Sequence, residues 1–276
     1  MLTVISVFLL GVTGIGAIAL LVWIVVTKGD FLMAYQLDEH DQTSSIFFDV
    51  ARNRYNNCKQ LNIFGYQPVV ALEAICIWEN PVAYTYPASA VVMTLVSDSE
   101  LDDTSLQVVI TGAGADYVAL TEIINIDGTT PVSTTNAFLR INNMRVSAVN
   151  PLRVTNAGAI TATNGGVIYA KILPAIGQTQ MSQYTVPAGR TFHLNRVNSF
   201  AQQSGGNNNF NTYSVQANVA LVTYSVLQSP YFERYQAIRT VPFRYEEKTS
   251  VQWRSRTESN TSSVGMVIEG VLTWDE

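Results

Sequence analysis

The stretch NIDGTTPVSTTNAFLRINNMRV, residues 125–146, indicates the fold class because nearly every position in it serves strand or turn geometry. Alternating isoleucines end one strand, and an Asp-Gly pair ending at Gly128 turns the chain. Residues 129–136 are mostly small or β-branched polar residues, which predict a polar crossing to the next strand. That strand begins at Phe138, and Arg140 is expected on the side opposite its apolar neighbours. The stretch holds no His or Cys, so its residues indicate a scaffold.

The rest of the body repeats this pattern. From residue 46 onward, apolar residues recur with period two or in short runs bounded by Gly, Pro, Asn and Asp. The predicted fold class is all-β, with one or two jelly-roll or β-sandwich domains preceded by a single N-terminal transmembrane α-helix. The turn signal Asn150-Pro151 divides the body into a first sandwich at 50–150 and a second, jelly-roll-like sandwich at 151–276.

The sequence YTVPAGRTFHLNRV, residues 184–197, predicts a β-hairpin. Pro187 removes a backbone donor and Gly189 frees the backbone, so one strand ends there and the next begins. Together with Gly128, these two residues are the predicted fold-determining turn positions. Strand alternation places His193 on the face opposite its two apolar neighbours, which predicts a partly exposed cross-strand residue and no catalytic role.

The N-terminal residues 2–27 carry no charge, and this run exceeds the roughly 20 apolar residues that cross a bilayer as a helix. Since the run lacks the basic start and cleavage site of a signal peptide, it predicts a retained transmembrane helix at 1–28 and a linker at 29–49. A helix buried in a large protein assembly is the alternative. The residues expected to form the anchor are Leu2, Phe8, Leu9, Gly11, Gly14, Ala17, Leu20, Leu21, Trp23 and Lys28.

Composition limits the classes of partner. Charged residues make up 13% of the chain, against about 25% in ordinary globular proteins, and the net charge is −5. Nucleic acid is therefore not an expected partner, because phosphate neutralisation needs clustered Lys and Arg. The cysteines Cys58 and Cys76 could form one bridge or remain two buried thiols, and no zinc-site spacing occurs.

The acidic loop SDSELDDTS, residues 97–105, is the one cluster of side chains in the sequence that could bind a metal ion. Its carboxylates could hold Ca²⁺ through oxygen ligands, although the spacing of an EF-hand is absent and a solvated loop is the other interpretation. The candidate ligands are Asp98, Glu100, Asp102 and Asp103. No nucleophile elbow or phosphate-binding loop is present, so we expect no enzyme and no cofactor apart from this Ca²⁺.

Several phrases of the body resemble, in order, a family of virion proteins known chiefly from marine tailed phages. They include NIFGYQPVV followed by ICIW, then YPASAVVMTLVSDSELDDT, the opening stretch, NAGAITAT, and GQTQMSQYTVPAGRTFHLNRV. The resemblance covers residues 46–200, while the N-terminal apolar run lies outside the family pattern and the part after residue 200 follows it loosely. It implies fold-determining roles for Trp78, Asp103, Gly128, Thr130, Arg140, Pro187 and Gly189.

The resemblance implies a bacteriophage structural protein: a membrane-anchored or shell-embedded subunit of the capsid, decoration layer or spike. Expected partners are other virion proteins, membrane lipid through the N-terminal helix, and further copies of the chain, with a trimer first and a pentamer next. The expected location is the virion, in or on a viral membrane or capsid. Two alternatives stay open: an adhesin or pilus-like module on a bacterial membrane surface, and a membrane-tethered hydrolase that uses the acidic loop.

Overall fold

Antiparallel strands make up most of the chain that the computed structural model describes, which is residues 3–4, 25–26, 46–51, 54–70, 73–147, 155–202, 210–216, 223–231, 234–257 and 262–274. The strands are β1 (Thr3–Val4), β2 (Val25–Val26), β3 (Cys58–Val70), β4 (Ile75–Cys76), β5 (Val91–Ser97), β6 (Gln107–Ala113), β7 (Ala119–Asn125), β8 (Val132–Phe138), β9 (Arg140–Val146), β10 (Ile160–Asn164), β11 (Val167–Ile172), β12 (Gln183–Thr185), β13 (Arg190–Gln202), β14 (Phe210–Gln216), β15 (Thr223–Tyr231), β16 (Arg234–Tyr245), β17 (Ser250–Thr257) and β18 (Ser262–Trp274). Within these residues, helical structure is limited to α1 (Ile46–Ala51) and a 3₁₀ turn (Ala115–Tyr117). The all-β prediction is confirmed.

The N-terminal unit, Met1–Phe48, differs from the predicted single helix. Its strands β1 and β2 pair antiparallel, with Thr3 opposite Val26. Paired strands lie about 5 Å apart, whereas positions 4 and 25 of one continuous helix would be about 31 Å apart. The prediction of an uninterrupted helix at 1–28 is therefore corrected. In the described part of the chain, no helix has the length and apolar character that crossing a membrane requires.

The first sandwich lies in the second unit, Asp49–Glu276, and consists of two sheets. One sheet has the strand order β11-β10-β5-β8 and the other has the order β7-β6-β9. Alternation supplies the core: Met93 and Leu95 on β5 point inward and are fully buried, as are Val108 and Ile110 on β6. One apolar cluster thus joins the inner faces of both sheets.

The opening stretch passes between these two sheets, and the predicted polar crossing is a strand. β7 and β9 belong to one sheet, while β8 pairs with β5 in the other. Thr134 on β8 is buried, its Oγ1 accepts a hydrogen bond from Met93 N at 2.9 Å, and it donates to Asn136 O at 2.7 Å. The prediction of a turn-like crossing was wrong because a threonine hydroxyl that satisfies backbone groups suits a buried strand as well as a loop.

Glu122 on β7 connects the free edges of the two sheets. Its carboxylate accepts hydrogen bonds from the backbone N–H groups of Thr135 at 2.6 Å and Asn136 at 2.9 Å, both on edge strand β8. Partial burial alone would raise the pKa of the Glu122 carboxyl, but these hydrogen bonds outweigh it and lower the pKa. A charged side chain thereby occupies an edge that could otherwise pair with another strand.

The second sandwich combines sequence from both sides of the first. Its sheets have the orders β16-β13-β18-β3 and β12-β17-β14-β15, with β4 also paired to β17. Their shared core includes Phe192, Trp253 and Met266. Because β3 and β4 precede the first sandwich and β12 follows it, the first sandwich is an insertion in the second.

This strand pairing differs from the predicted division at 150/151. β10 and β11, which lie beyond that boundary, pair with each other, and β10 pairs with β5 in the first sandwich, while β3 pairs with β18 from the other end of the chain. A local turn signal such as Asn150-Pro151 carries no information about distant pairing partners. The jelly-roll topology stays a prediction.

The predicted hairpin at 184–197 is also corrected. β12 pairs with β17 and β13 pairs with β16 and β18, so the Pro187–Gly189 turn connects the two sheets of the second sandwich. Tyr184 and its neighbours on β12 are buried on both faces, a pattern that short-range alternation does not distinguish from a hairpin strand.

The Thr134 contact gives a first test. Replacing Thr134 with Val keeps the shape but leaves the buried Met93 N–H without its acceptor, so we expect Thr134→Val to lower the free energy of unfolding by about 1–3 kcal/mol. Urea denaturation measures the change. Thr121→Val is the matched control, because that side chain lies on β7 of the same sandwich and is exposed. Equal effects of the two substitutions would contradict the assignment.

Candidate functional site

A polar layer joins the two sandwiches. On β12 and β17 the residues Tyr184, Val251 and Trp253 face the second core, while the alternate positions are polar and equally buried. We call these alternate positions, with the residues of β9 that contact them, the polar seam; it comprises Gln183, Thr185, Ser250, Gln252, Arg140 and Asn142. Buried polar groups of this kind are stable only when they are hydrogen bonded.

The side-chain amide of Asn142 forms hydrogen bonds with the backbone of β12, as the backbone of a neighbouring strand would. Its Nδ2 donates to Thr185 O at 2.9 Å, and its Oδ1 accepts from Thr185 N at 2.8 Å. Next to it, Gln183 Nε2 donates to Ile141 O at 3.3 Å. These side-chain bonds hold β9 of the first sandwich against β12 of the second.

Arg140 lies at the centre of the seam and is 8% exposed. Its guanidinium donates to Ser250 Oγ at 3.2 Å, the carbonyl oxygens of Pro87 at 3.0 Å and Leu139 at 2.7 Å, and Tyr117 Oη at 3.4 Å. The charge also lies over two aromatic rings, with centroid distances of 4.5 Å to Tyr86 and 5.5 Å to Tyr117. The planar fork suits several fixed acceptors at once, so Arg140 fixes the two sandwiches in one arrangement.

Ser182 forms a second junction in the same region. Its hydroxyl donates to Trp253 O at 2.6 Å and accepts from Ile77 N at 3.0 Å. A Cβ at Gly65 would lie 2.8 Å from Ile77 O, so β3 approaches this junction closely enough to require glycine. The adjacent Cys76 is buried, and burial raises the pKa of its thiol to about 12.

Glu79 is a buried carboxyl beside this junction. Its Oε1 accepts a hydrogen bond from Gln180 N, and Gln180 O accepts one from Tyr66 N at 3.1 Å. Burial raises the pKa of the Glu79 carboxyl to about 8, although the Gln180 bond and the charge of Lys171 act in the opposite direction. Its Oε2 has no hydrogen-bond partner among the described residues. Glu79 is therefore mainly protonated at neutral pH.

The acidic loop turns its carboxylates toward backbone amides. Asp102 is fully buried and accepts from Ser97 Oγ at 2.7 Å, Ala157 N at 2.7 Å and Gly158 N at 2.9 Å. Asp98 Oδ1 accepts from Ala159 N at 2.7 Å. Both carboxylates thus fasten the segment that leads into β10, which is a structural use of the cluster.

The other two predicted Ca²⁺ ligands have separate partners. Glu100 accepts a hydrogen bond from Thr129 Oγ1, while Asp103 Oδ1 accepts from Ser105 N at 3.0 Å and from its hydroxyl at 2.5 Å. Among the described residues, no three His, Cys, Asp or Glu side chains converge as metal ligands would. The Ca²⁺ loop stays a prediction that these contacts do not favour.

The predicted turn positions occupy turns. Gly128 has φ of 55° and Gly189 has φ of 70°, the left-handed region that glycine enters without strain. Pro187 O accepts from Arg190 N at 3.2 Å, which closes the turn around Gly189. The intervening Ala188 N donates to Tyr117 O at 2.8 Å, so this turn also contacts the first sandwich.

Other residues singled out by the sequence fall in separate places. His193 is partly exposed opposite the buried Phe192 and Leu194, as expected, and its Nε2 lies 3.2 Å from Thr273 Oγ1. Cys58 and Cys76 are free thiols, and only Cys76 is buried. The ten predicted anchor residues, from Leu2 to Lys28, lie outside the described residues.

The sequence did not predict the polar seam, although the resemblance implied a fold-determining role for one of its residues, Arg140. The resemblance implied such a role for Trp78 as well, and the Nε1 of Trp78 donates a hydrogen bond to Val82 O at 2.8 Å. Arg140 was expected to shape the fold, yet its burial was not foreseen. The polar alternate positions of β17 are typical of a solvated face, and they are buried only in the folded chain, where the Arg140 guanidinium contacts Ser250.

The requirement for the planar guanidinium group of Arg140 can be tested with a matched pair of substitutions. Lysine keeps the charge but offers one compact donor group, so we expect Arg140→Lys to lower the free energy of unfolding by about 2–4 kcal/mol through the bonds it leaves unmade. Arg145→Lys, an exposed position on the same strand, should change it by less than about 0.5 kcal/mol. Urea denaturation of both variants measures this, and an unchanged Arg140→Lys protein would contradict the assigned role.

The raised pKa of Glu79 predicts a pH dependence. The folded-state pKa of about 8 exceeds the ordinary 4.5, so the contribution of Glu79 to stability is fully present below pH 4.5 and is lost as pH rises toward 8. The slope should not exceed about 1.4 kcal/mol per pH unit. Urea denaturation from pH 5 to 9 should show this fall in the wild type and not in Glu79→Gln.

Glu122→Gln is the control for that experiment. Because the folded pKa of Glu122 is lowered, its contribution is present above the unfolded pKa and is lost as pH falls through the folded pKa. The substitution should therefore leave the slope between pH 5 and 9 intact. A Glu79→Gln protein that keeps the wild-type slope would show that another group causes it.

Comparison with known proteins finds no match: no family model, no curated protein and no solved structure matches the chain. The function is therefore inferred from the contacts described above and from the resemblance of the sequence phrases.

Proposed function

We propose that the chain is a structural subunit of a bacteriophage particle, a building block of the capsid, a decoration layer or a spike. The observation that carries the proposal is the polar seam, in which Arg140 and Asn142 serve to lock two sandwiches into one body. An assembly subunit needs a fixed shape, because its contacts with neighbours depend on surfaces held in constant relative positions.

The use of the carboxylates supports the same role. Asp102 and Asp98 bind backbone amides of the segment before β10, and Glu122 binds those of an edge strand. Groups that could have served a reaction are engaged in holding loops and edges. This weighs against the hydrolase alternative for the acidic loop.

The resemblance of residues 46–200 to virion proteins of marine tailed phages gives the proposal its source. The proposed details go beyond the all-β fold: a jelly-roll topology in one or both sandwiches, a homo-oligomer, and other virion proteins as partners. The uncharged run at residues 2–27 supports a contact with the lipid of a viral membrane or with the apolar interior of a shell.

The test is whether the chain belongs to particles. Virions from the producing host are purified on a density gradient, and fractions are analysed by quantitative mass spectrometry before and after extraction with a non-ionic detergent. We expect the chain to follow the major capsid protein at a fixed ratio. Release by detergent, with the capsid protein left behind, would assign it to a membrane layer.

A host membrane protein that contaminates the gradient is the control for co-purification. If the chain sediments with host membranes and not with capsid protein, the particle role is overturned. Binding of that membrane fraction to a glycan or a host surface protein would then support the adhesin alternative.

A further inference from the structure

The sheet β16-β13-β18-β3 has one buried face and one exposed face. Ile63, Met266 and Val197 point into the second core, and strand alternation places their neighbours on the outside. Cross-strand register aligns Phe200, Gly265 and Tyr66 in one outer row and Val267 and Phe64 in the next. We call Phe64, Tyr66, Phe200 and Val267 the aromatic patch.

The patch is unusually apolar for the solvated face of an antiparallel sheet, which is normally polar. Phe200 is 49% exposed and Phe64 is 38% exposed, and Ile238 on β16, opposite Arg196, is 61% exposed. The ring of Phe200 lies directly over Gly265, where a Cβ would overlap it. Glycine thus lets the ring lie flat on the sheet, which keeps the surface level.

An ion pair borders the patch. Arg196 Nη1 lies 3.2 Å from Glu269 Oε2, and the two residues face each other in the row next to that of Val267. Both side chains are partly exposed, at 37% and 28%. This row therefore presents one positive and one negative group side by side.

From this arrangement we propose that the outer face of β16-β13-β18-β3 binds the same face of a second copy of the chain. In a two-fold contact, each residue meets the partner's counterpart in reverse order. Arg196 of each copy can then face Glu269 of the other while the aromatic patches pack together. The inference deepens the proposed assembly role and gives an even number of copies, where the first expectation was a trimer.

The size of the face suits such a contact. Four strands about 4.8 Å apart and about 13 residues long, at about 3.3 Å per residue, cover about 800 Å². Stable protein interfaces bury about 800 Å² on each partner. The face is thus large enough for a dimer.

Charge exchange between copies gives the sharpest test. Arg196→Glu makes the row doubly acidic and Glu269→Arg makes it doubly basic, so each variant repels its own copy. We expect the self-dissociation constant of each to rise about tenfold at low salt, and a 1:1 mixture of the two to associate as the wild type does. Analytical ultracentrifugation of the full chain in a density-matched detergent measures this.

The matched control moves the charge away from the face. Arg145→Glu changes charge by the same amount on the first sandwich, where Arg145 is exposed. On its own it should self-associate as the wild type does. A loss of self-association equal to that of Arg196→Glu would overturn the proposal, because net charge alone would then explain the effect.

The aromatic patch is tested in parallel. Phe64→Asn with Phe200→Asn should weaken self-association at least tenfold, whereas Val118→Asn with Ile123→Asn, which changes even more exposed apolar residues of the first sandwich, should not. Circular dichroism and thermal unfolding check that each variant is folded. A patch variant that no longer folds leaves the charge-exchange mixture as the deciding measurement.

Two further outcomes overturn the proposal. One is a wild-type chain that stays monomeric, and the other is an oligomer that none of these substitutions affects. A monomer whose Phe64 and Phe200 are shielded from hydroxyl-radical labelling in purified particles would assign the face to a different virion protein. Either result leaves the particle test above intact, so failure of this inference and failure of the proposed function are distinguishable.

Discussion

The burial of polar strand faces between two apolar cores is the constraint on which the rest of this structure depends. β12 and β17 lie in the second sandwich, yet the polar side chains on their outer side are buried where Arg140 and Asn142 of the first sandwich contact them. Each then needs a partner, because an unsatisfied buried donor or acceptor costs about 1–3 kcal/mol. Arg140 supplies a partner to the Ser250 hydroxyl, and Asn142 supplies partners to the backbone N–H and C=O of Thr185.

Because of this constraint, the inserted first sandwich and the second sandwich form a single body. The first sandwich leaves the second after β4 and returns at β12, and two apolar cores joined by flexible links would be free to move. The seam replaces that freedom with directional hydrogen bonds, which specify orientation more strictly than apolar contact does. A body of fixed shape that exposes an aromatic sheet face on one side fits a subunit of an assembly better than a carrier of reactive groups.

Sequence patterns anticipated the strands more often than their partners. The strands β5, β6 and β7, the glycine turns at Gly128 and Gly189, and the exposed side of His193 follow from alternation and turn chemistry, which are local properties. The strand β8 does not follow from local properties, because a polar threonine-rich stretch becomes a strand only when β5 lies beside it. The placement of β12 and β13 in separate sheets does not follow from them either. For the same reason the sequence left the acidic loop open as a Ca²⁺ site or a solvated loop, whereas the fold brings the amides of residues 157–159 to its carboxylates.

By itself, the amino-acid sequence determined the all-β class, the positions of the tight turns and the face that each residue of a strand presents. These depend on backbone preferences and on a period of two, and both act over a few residues. Only the tertiary structure decided which strands share a sheet, that the first sandwich is inserted in the second, and that Arg140 and Glu79 are buried. Burial and pairing depend on residues more than a hundred positions apart, such as Ile77 with Ser182 and Arg140 with Ser250, and their proximity arises only when the whole chain has folded.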